Sequence, residues 1–319
     1  MKPQVKLRSD QFLTKPVAME PAFDNPEGIE KLIRKGGPYK TLAAVHRNVG
    51  ETTGGWFRNF WALGGKVVFK GAEPYFNNQR FIDAAKETYR AEVIRPVAMM
   101  TNLNLPAAGA PFHLDLPFYR GAENKEVPSW MLTPMRYSNL FQDWAIPIAS
   151  AVTWFYEGEG GEFEYWPDGL DHPSLTESPP FTNRCVLADN EYMFHRVGAI
   201  GPASEHGKYD DIRYDALLEL GPDDQWHVKE GGETRASFDY GQVRISILWK
   251  AHCFKDERLA AIYDDHSDDL TAERVRDIFS ADLKRRGIDF REPGDFATDL
   301  AWKKVITENY APPEGGQRY

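Results

Sequence analysis

Hydrophobic residues recur with two different periods along the chain, and the change of period predicts where helices give way to strands. Across 78–94 the apolar positions recur at helical spacing with charges between them, which predicts an amphipathic helix packed outside a sheet. A shorter helix is expected over 27–35, where the Gly-Gly-Pro at 36–38 would end it. From 97 to 105 the pattern instead predicts a strand.

The region around 157–161 predicts a β-hairpin. Residues 146–156 are rich in β-branched and aromatic side chains, and 162–167 alternate polar with aromatic ones. Between them lies a Gly-rich stretch that is typical of a tight turn. We therefore expect two antiparallel neighbours joined at a glycine tip.

Two later segments predict further strands. Residues 184–195 indicate a buried strand, a turn at Asp189-Asn190 and a second strand, and 243–252 indicate another. In the latter, alternation places Arg244, Ser246 and Leu248 on one face.

The remainder of the chain is predicted to flank these strands. Residues 1–25 are expected to form an extended arm, and the chain beyond 256 is expected to be helical, with Thr271 capping one helix. The order is therefore helices, about eight short strands, then helices. This is a mostly β protein with flanking helices.

Composition narrows the function without naming it. The chain has 319 residues, 42% of them hydrophobic, and a formal net charge of -10, which argues for a sizeable core and against a nucleic-acid partner. Its two cysteines form no Cys-x-x-Cys pair. Residues 1–16 lack the apolar core of a signal peptide, and no apolar run reaches the length of a membrane span. We expect a cytoplasmic protein with no membrane partner.

The candidate chemistry begins at His113-x-Asp115. On a strand, residues two apart point the same way, so this pair would aim an imidazole and a carboxylate at one point. A second His on a neighbouring strand would complete the two-His-one-carboxylate face that holds non-haem Fe(II). Alone, His-x-Asp is common by chance.

Two later features give the motif a context. His195 follows the Asp189-Asn190 turn, and Arg244 lies two residues before Ser246 on a later strand. In this order the residues resemble those of the Fe(II)- and 2-oxoglutarate-dependent oxygenases, whose fold is a double-stranded β-helix.

The resemblance covers roughly 97–252 and implies roles for five residues. His113, Asp115 and His195 would bind iron, and Arg244 with Ser246 would bind the far carboxylate of 2-oxoglutarate. Oxygen would be the other co-substrate, and succinate and CO2 would be released.

The flanking segments carry no signature of the family, but we expect one oxygenase domain over 1–319. An arm and helices would occupy 1–96, the β-helix core 97–252, and C-terminal helices 253–319. In the family the co-substrate Arg usually follows the second His closely, so we interpret 201–241 as an insertion into the core. Arg213 is the alternative co-substrate ligand, but its charged neighbours favour Arg244.

The retained Asp115 favours hydroxylation or a related oxidation, such as desaturation, cyclisation or epimerisation, because the family's halogenases replace this carboxylate. We expect a small metabolite as substrate, an amino acid or a natural-product intermediate. Candidate substrate contacts are Arg120, Trp130, Trp154 and Tyr156.

Several alternatives remain open from the sequence. A cupin-type metal enzyme that does not use 2-oxoglutarate, or a non-catalytic barrel that binds a ligand, would show similar strands. His252 is a secondary metal candidate, and 52–69 and 201–240 are candidate lids. The C-terminal helices would either form a homodimer interface or buttress the barrel.

Overall fold

The computed structural model describes residues 14–46, 54–122 and 127–310. Within them the chain forms fourteen strands rather than about eight, together with eight α-helices. The strands are β1 (Val17–Met19), β2 (Tyr39–Thr41), β3 (Trp56–Leu63), β4 (Lys66–Val67), β5 (Val93–Asn104), β6 (Ile148–Tyr156), β7 (Phe163–Trp166), β8 (Leu175–Glu177), β9 (Phe181–Ala188), β10 (Phe194–Val197), β11 (Leu217–Leu220), β12 (Gln225–Glu230), β13 (Glu233–Asp239) and β14 (Arg244–Phe254). The helices are α1 (Pro26–Lys35), α2 (Leu42–His46), α3 (Glu73–Phe76), α4 (Gln79–Tyr89), α5 (Ser129–Ser138), α6 (Glu257–Asp264), α7 (Ala272–Arg285) and α8 (Leu300–Asn309).

The strands form two antiparallel sheets. The larger sheet runs β1-β9-β6-β14-β5-β3-β2-β11-β12-β13, with β4 beside β3, and the smaller one runs β10-β7-β8. The segment at His113 extends the smaller sheet by pairing with His195. From β5 onward the chain passes repeatedly from one sheet to the other and ends this series in β14, which lies between β5 and β6. This alternation is that of a double-stranded β-helix, so the predicted fold class is confirmed.

An aromatic layer joins the two sheets. The Trp154 ring on β6 lies 5.2 Å from that of Phe163 on β7 and 5.0 Å from that of Phe181 on β9. All three side chains are buried. Burying this much apolar surface holds the two sheets together, and Trp154 and Phe163 also line a cavity.

Helices cover the outer face of the larger sheet. Phe81 and Ala85 of α4 are fully buried in one cluster with Trp249 on β14. The Asn78 side chain caps α4, and the helix ends at Tyr89 because Arg90 adopts a left-handed conformation. The helix predicted over 78–94 is therefore confirmed but shorter, since Val93 already begins β5.

The predicted hairpin at 146–167 is wrong. Both strands form, but β6 pairs with β14 and β9, whereas β7 pairs with β10 and β8. The glycine stretch thus carries the chain from one sheet to the other. Local alternation predicts that strands exist, but their partners depend on which surfaces they bury.

The segment 201–241 continues the larger sheet at its far edge. Its strands β11, β12 and β13 form a meander in which β11 pairs with β2. Trp226 and Val228 are fully buried in the same apolar cluster as Phe81 and Trp249. The second half of this segment, from 217 to 239, is therefore built into the sheet, and a lid role for the segment stays a prediction.

Helices α7 and α8 form a separate apolar cluster with α5. Thr271 caps α7 as predicted, accepting a hydrogen bond from the Arg274 amide. Phe279 and Leu283 of α7 pack with Met135 of α5 and Trp302 of α8. None of the described helices has the length and apolar content needed to span a bilayer.

Candidate metal and co-substrate site

Backbone pairing brings the three candidate ligands together. The His113 amide donates to the His195 carbonyl at 2.9 Å, and the His195 amide donates to the His113 carbonyl at 3.1 Å. The Asp115 amide donates to the Asn190 carbonyl at 2.9 Å. One ligand atom from each of His113, Asp115 and His195 lies within 4.8 Å of the others. The strand pairing therefore places the side chains at one point, as the two-residue spacing predicts.

The two imidazoles are oriented by carbonyl groups. Nδ1 of His195 lies 3.0 Å from the Met193 carbonyl oxygen, and Nδ1 of His113 lies 3.4 Å from that of Pro111. A carbonyl only accepts, so each contact favours the tautomer with the proton on Nδ1 and leaves Nε2 free to bind a metal. Burial, and next the neighbouring His113, lowers the pKa of His195 to about 4. This imidazole is neutral at pH 7, as a metal ligand must be.

Asp115 lies in an ion-pair network that sequence reasoning missed. Lys250 Nζ lies 2.7 Å from Asp115 Oδ2 and 2.6 Å from Glu191 Oε1. Burial raises the pKa of Asp115, but Lys250, His195 and His113 outweigh it and hold this pKa below its usual value. Burial lowers the pKa of Lys250, yet Asp115 and Glu191 raise it above its usual value. Asp115 is therefore a carboxylate and Lys250 a cation at neutral pH.

A third residue that sequence reasoning missed is Arg136 on α5. Its Nη1 donates to the carbonyl of Asp115 at 2.5 Å and to that of Glu191 at 2.6 Å. The side chain is 1% exposed, so these charge-assisted bonds lie out of water, where they are strongest. Arg136 thereby ties together the backbones of the two residues whose carboxylates contact Lys250.

Arg244 and Ser246 face the same cavity as the three candidate ligands. The cavity has a volume of about 480 Å³. Arg244 Nε donates to the Gly161 carbonyl at 2.7 Å, while its buried Nη2 has no hydrogen-bond partner among the described residues. Burial lowers the pKa of Arg244 to about 10, so it is still a cation at pH 7. A buried cation with an unused donor is suited to binding an anion.

Gly161 allows Arg244 this position. Its φ is +76°, and a Cβ there would lie 2.9 Å from Arg244 Cδ. A larger residue would be strained and would displace the guanidinium.

Strand β3 and Asp210 complete the cavity wall. Trp56 and Arg58 line it, whereas Phe57 and Trp61 are buried in the outer core. The described part of the candidate lid at 52–69 therefore contributes side chains both to the cavity wall and to the core, because successive side chains of a strand point to opposite faces. Thr52 and Thr53 lie outside the described residues, and Asp210 is the contribution of the 201–241 segment.

Of the four predicted substrate contacts, one lines the cavity and three lie elsewhere. Trp154 lines the cavity, but the Tyr156 hydroxyl donates to the Glu159 carbonyl on another surface depression. Arg120 is a correction, since it bonds Asp268 and the Asp143 carbonyl. Trp130 is a second correction, because it packs in the C-terminal helical cluster and donates to the Ala297 carbonyl. Neither of these two lines the cavity because the segment after Asp115 leads away into the helices.

The alternatives Arg213 and His252 also lie elsewhere. The Arg213 side chain is 61% exposed and pairs with Asp215. His252 is buried on β14 and lines a second cavity of about 710 Å³ together with Glu191 and Lys250. Burial, and next Arg95, lowers the pKa of His252 to about 3.

The donor set fits a divalent transition metal. Two imidazoles and one ionised carboxylate on one face form the set that suits non-haem Fe(II) and leaves further positions open. Arg244 lies across the same cavity and offers a hydrogen-bond fork to a carboxylate. Together these groups can hold a metal and an anionic chelator side by side.

No protein-family model and no curated protein matches the chain. Among solved structures, a 2OG-Fe(II) oxygenase family oxidoreductase from Burkholderia pseudomallei is 14% identical with a TM-score of 0.40, covering 75% of this chain and 84% of that one. A Trichoplax adhaerens prolyl hydroxylase in complex with a hypoxia inducible factor peptide is 12% identical with a TM-score of 0.42, covering 77% and 87%.

A third similar structure is HygX from Streptomyces hygroscopicus, with nickel, 2-oxoglutarate and hygromycin B bound. It is 9% identical with a TM-score of 0.37, covering 76% of this chain and 84% of that one. Likeness at this level does not assign an activity, so the fold rests on the strand topology and the function on the site geometry.

Proposed function

We propose that the protein is an Fe(II)- and 2-oxoglutarate-dependent dioxygenase that hydroxylates a small metabolite. The observation that carries this proposal is one cavity holding two imidazoles, a carboxylate and a buried Arg with an unused donor. Each group alone has a structural explanation. Their joint placement in one cavity has the chemistry of a metal and a dicarboxylate held together.

In this proposal His113, Asp115 and His195 hold Fe(II), and Arg244 with Ser246 binds the far carboxylate of 2-oxoglutarate. Bound iron would supply the activation of O2 that couples loss of CO2 from the co-substrate, leaving succinate, to substrate oxidation. The protein's part is to orient the ligands through backbone pairing and to keep His195 neutral. Arg244 would also offer a fixed cation to the far carboxylate of the co-substrate.

The substrate would occupy what remains of the cavity, beside Trp154 and the Trp56–Arg58 edge of β3. Its wall combines aromatic faces with Arg58 and the exposed carboxylate of Asp210. A cavity of about 480 Å³ that also holds the co-substrate fits a small, partly polar molecule. An amino acid or a natural-product intermediate has this character.

An anaerobic titration tests the proposal without a known substrate. Fe(II) and 2-oxoglutarate are added to the metal-free protein, and the visible spectrum is recorded for the wild type, His113→Ala and Arg244→Met. We expect a weak charge-transfer band that needs both additions and is lost or shifted in the variants. Admission of O2 should then yield succinate.

Two other results would each favour a different function for this protein. Bound iron without the band in the wild type would indicate a metal enzyme that does not use 2-oxoglutarate. Failure of the wild type to bind iron would leave a non-catalytic barrel.

A further inference from the structure

The ion-pair network behind Asp115 divides the two oxygens of that carboxylate. Oδ2 lies 2.7 Å from Lys250 Nζ, whereas Oδ1 faces His195, 3.8 Å from its Nε2. One oxygen is thus committed to an ammonium group, and the other points at the imidazole beside which a metal would bind.

Glu191 holds Lys250 in place from the other side. Its Oε1 accepts from Lys250 Nζ at 2.6 Å, and its side chain is only 3% exposed. A flexible lysine stem would otherwise have several rotamers available. Contact with two carboxylates at once restricts the ammonium to the position between them.

The backbone around this network is equally constrained. Arg136 bonds the carbonyls of both Asp115 and Glu191, and the Asp115 amide bonds Asn190. Asp115 and Glu191 therefore cannot move apart without breaking the charge-assisted bonds that Arg136 donates to their carbonyls. The network is a built frame, not a chance contact between surface charges.

Stability alone is a weak explanation for such a frame. Ion pairs taken out of water lose hydration, and well-packed apolar residues of similar volume often stabilise a protein as well. An ammonium beside a metal ligand also opposes binding of a divalent cation by Coulomb repulsion. A residue kept at this electrostatic cost is more readily explained by what it does to Asp115.

We propose that Lys250, held by Glu191, is a positioning residue that restricts Asp115 to binding the metal through one oxygen. The inference rests on the proposed function. With Oδ2 engaged, the carboxylate occupies a single position, which leaves the others for the co-substrate and O2. Without Lys250, both oxygens are available to the metal, and the second competes with the 2-oxo acid.

The experiment uses Co(II) as a spectroscopic probe in the full-length protein. Co(II) is titrated into the metal-free wild type, Lys250→Met, Lys250→Arg and Glu191→Gln, and affinity and visible absorption are measured. 2-Oxoglutarate affinity for each Co(II)-loaded protein follows by calorimetry. Thermal unfolding of each variant is recorded beside these.

For Lys250→Met we expect a changed Co(II) spectrum and a 2-oxoglutarate affinity lower by about tenfold or more. Its Co(II) affinity should not fall, because a cation has been removed beside a divalent ion. Lys250→Arg should restore the wild-type spectrum, since it keeps a donor cation. A merely structural role would instead lower metal and co-substrate affinity together.

Glu191→Gln keeps the proposal testable if Lys250→Met fails to fold. It leaves Lys250 with one anionic partner and should shift the spectrum in the same direction by a smaller amount. Wild-type spectra and wild-type 2-oxoglutarate affinity in the folded variants would overturn the inference alone. A wild type that binds no metal would overturn the proposed function itself.

Discussion

Arg244 is buried and the Lys250 side chain is 18% exposed. These two cations lie on the same face of β14, yet their surroundings differ. Lys250 contacts two carboxylates, whereas Arg244 bonds one carbonyl and keeps a buried nitrogen without a partner among the described residues. Burial lowers the pKa of Arg244, while the net pKa of Lys250 is raised by its anions.

The difference shows two roles that a cationic side chain can have inside a protein. A cation whose donors are all engaged holds its partners in place, and here one of them is a candidate metal ligand. A cation with an unsatisfied donor remains in deficit by roughly 1–3 kcal/mol until something binds it. Strand alternation places both kinds of site on one strand, on either side of Leu248.

Of the substitutions that test this comparison, we expect the largest effect from one at Asp115, the candidate metal ligand that Lys250 contacts. Asp115→Asn removes the carboxylate while leaving Lys250 as a cation beside Glu191. We expect the affinity for Fe(II) or Co(II) to fall by more than about 100-fold, beyond the usual cost of losing an outer-shell partner. A metal titration against a competing chelator measures it.

Asp210→Asn is the matched control, because this carboxylate lines the same cavity but is not one of the three candidate metal ligands. It should keep near-wild-type metal affinity. Equal losses in the two variants would mean that the cavity attracts metal only through its general negative charge.

The position of Arg244 can be tested by substituting Gly161, whose carbonyl accepts a hydrogen bond from Arg244. In Gly161→Ala the new Cβ would meet Arg244 Cδ at 2.9 Å, so the guanidinium must move. We expect 2-oxoglutarate to bind roughly tenfold more weakly, equivalent to ~1.4 kcal/mol, as measured by calorimetry on the metal-loaded protein.

Gly169→Ala separates displacement of Arg244 from backbone strain. Gly169 also has a positive φ, of +89°, but a Cβ there would meet nothing within 4 Å. It should lose stability by about 1–3 kcal/mol and keep its affinity for 2-oxoglutarate. If both variants bound 2-oxoglutarate more weakly, displacement of Arg244 would not be the cause of the loss in Gly161→Ala.

His252 sharpens the comparison, because it is a buried basic group on the same strand face that carries no charge. Its folded pKa of about 3 lies below the ordinary 6.5, so below pH 6.5 the unfolded chain gains a proton that the folded one does not. Stability should therefore be lost as the pH falls, by up to ~1.4 kcal/mol per unit.

Urea unfolding at pH 7 and pH 5 measures this dependence. The wild type should lose about 2 kcal/mol more than His252→Phe between these values, because phenylalanine keeps the ring but cannot be protonated. Parallel losses in both proteins would mean that other groups set the acid sensitivity.

The sequence predicted which residues lie around one cavity better than it predicted the sheet pairings. A two-residue spacing places His113 with Asp115, and Arg244 with Ser246, on one face of a strand. That the two pairs meet at one site was implied only by the resemblance to the oxygenase family. The hairpin at 146–167 could not be judged in this way. Its two strands separate because β6 buries its faces against β14 and β9, which are distant in sequence.

The missed residues differ in how far the sequence could have indicated them. Lys250 continues the same two-residue count from Arg244 through Leu248, so extending that count would have placed it on the cavity side. Glu191 and Arg136 carry no such signal. Their contacts with Lys250 and with the Asp115 carbonyl depend on how the two sheets and α5 pack together.

The most direct test of the central claim is the dissociation constant of 2-oxoglutarate for the Fe(II)-loaded protein, measured anaerobically by calorimetry. Wild type, Arg244→Met and Arg213→Met are compared, with metal affinity determined for each. We expect Arg244→Met to bind 2-oxoglutarate about 10- to 150-fold more weakly, as for loss of a charged hydrogen bond of ~1.5–3 kcal/mol. Its metal affinity, and both affinities of Arg213→Met, should stay unchanged. Wild-type 2-oxoglutarate binding by Arg244→Met would contradict the account.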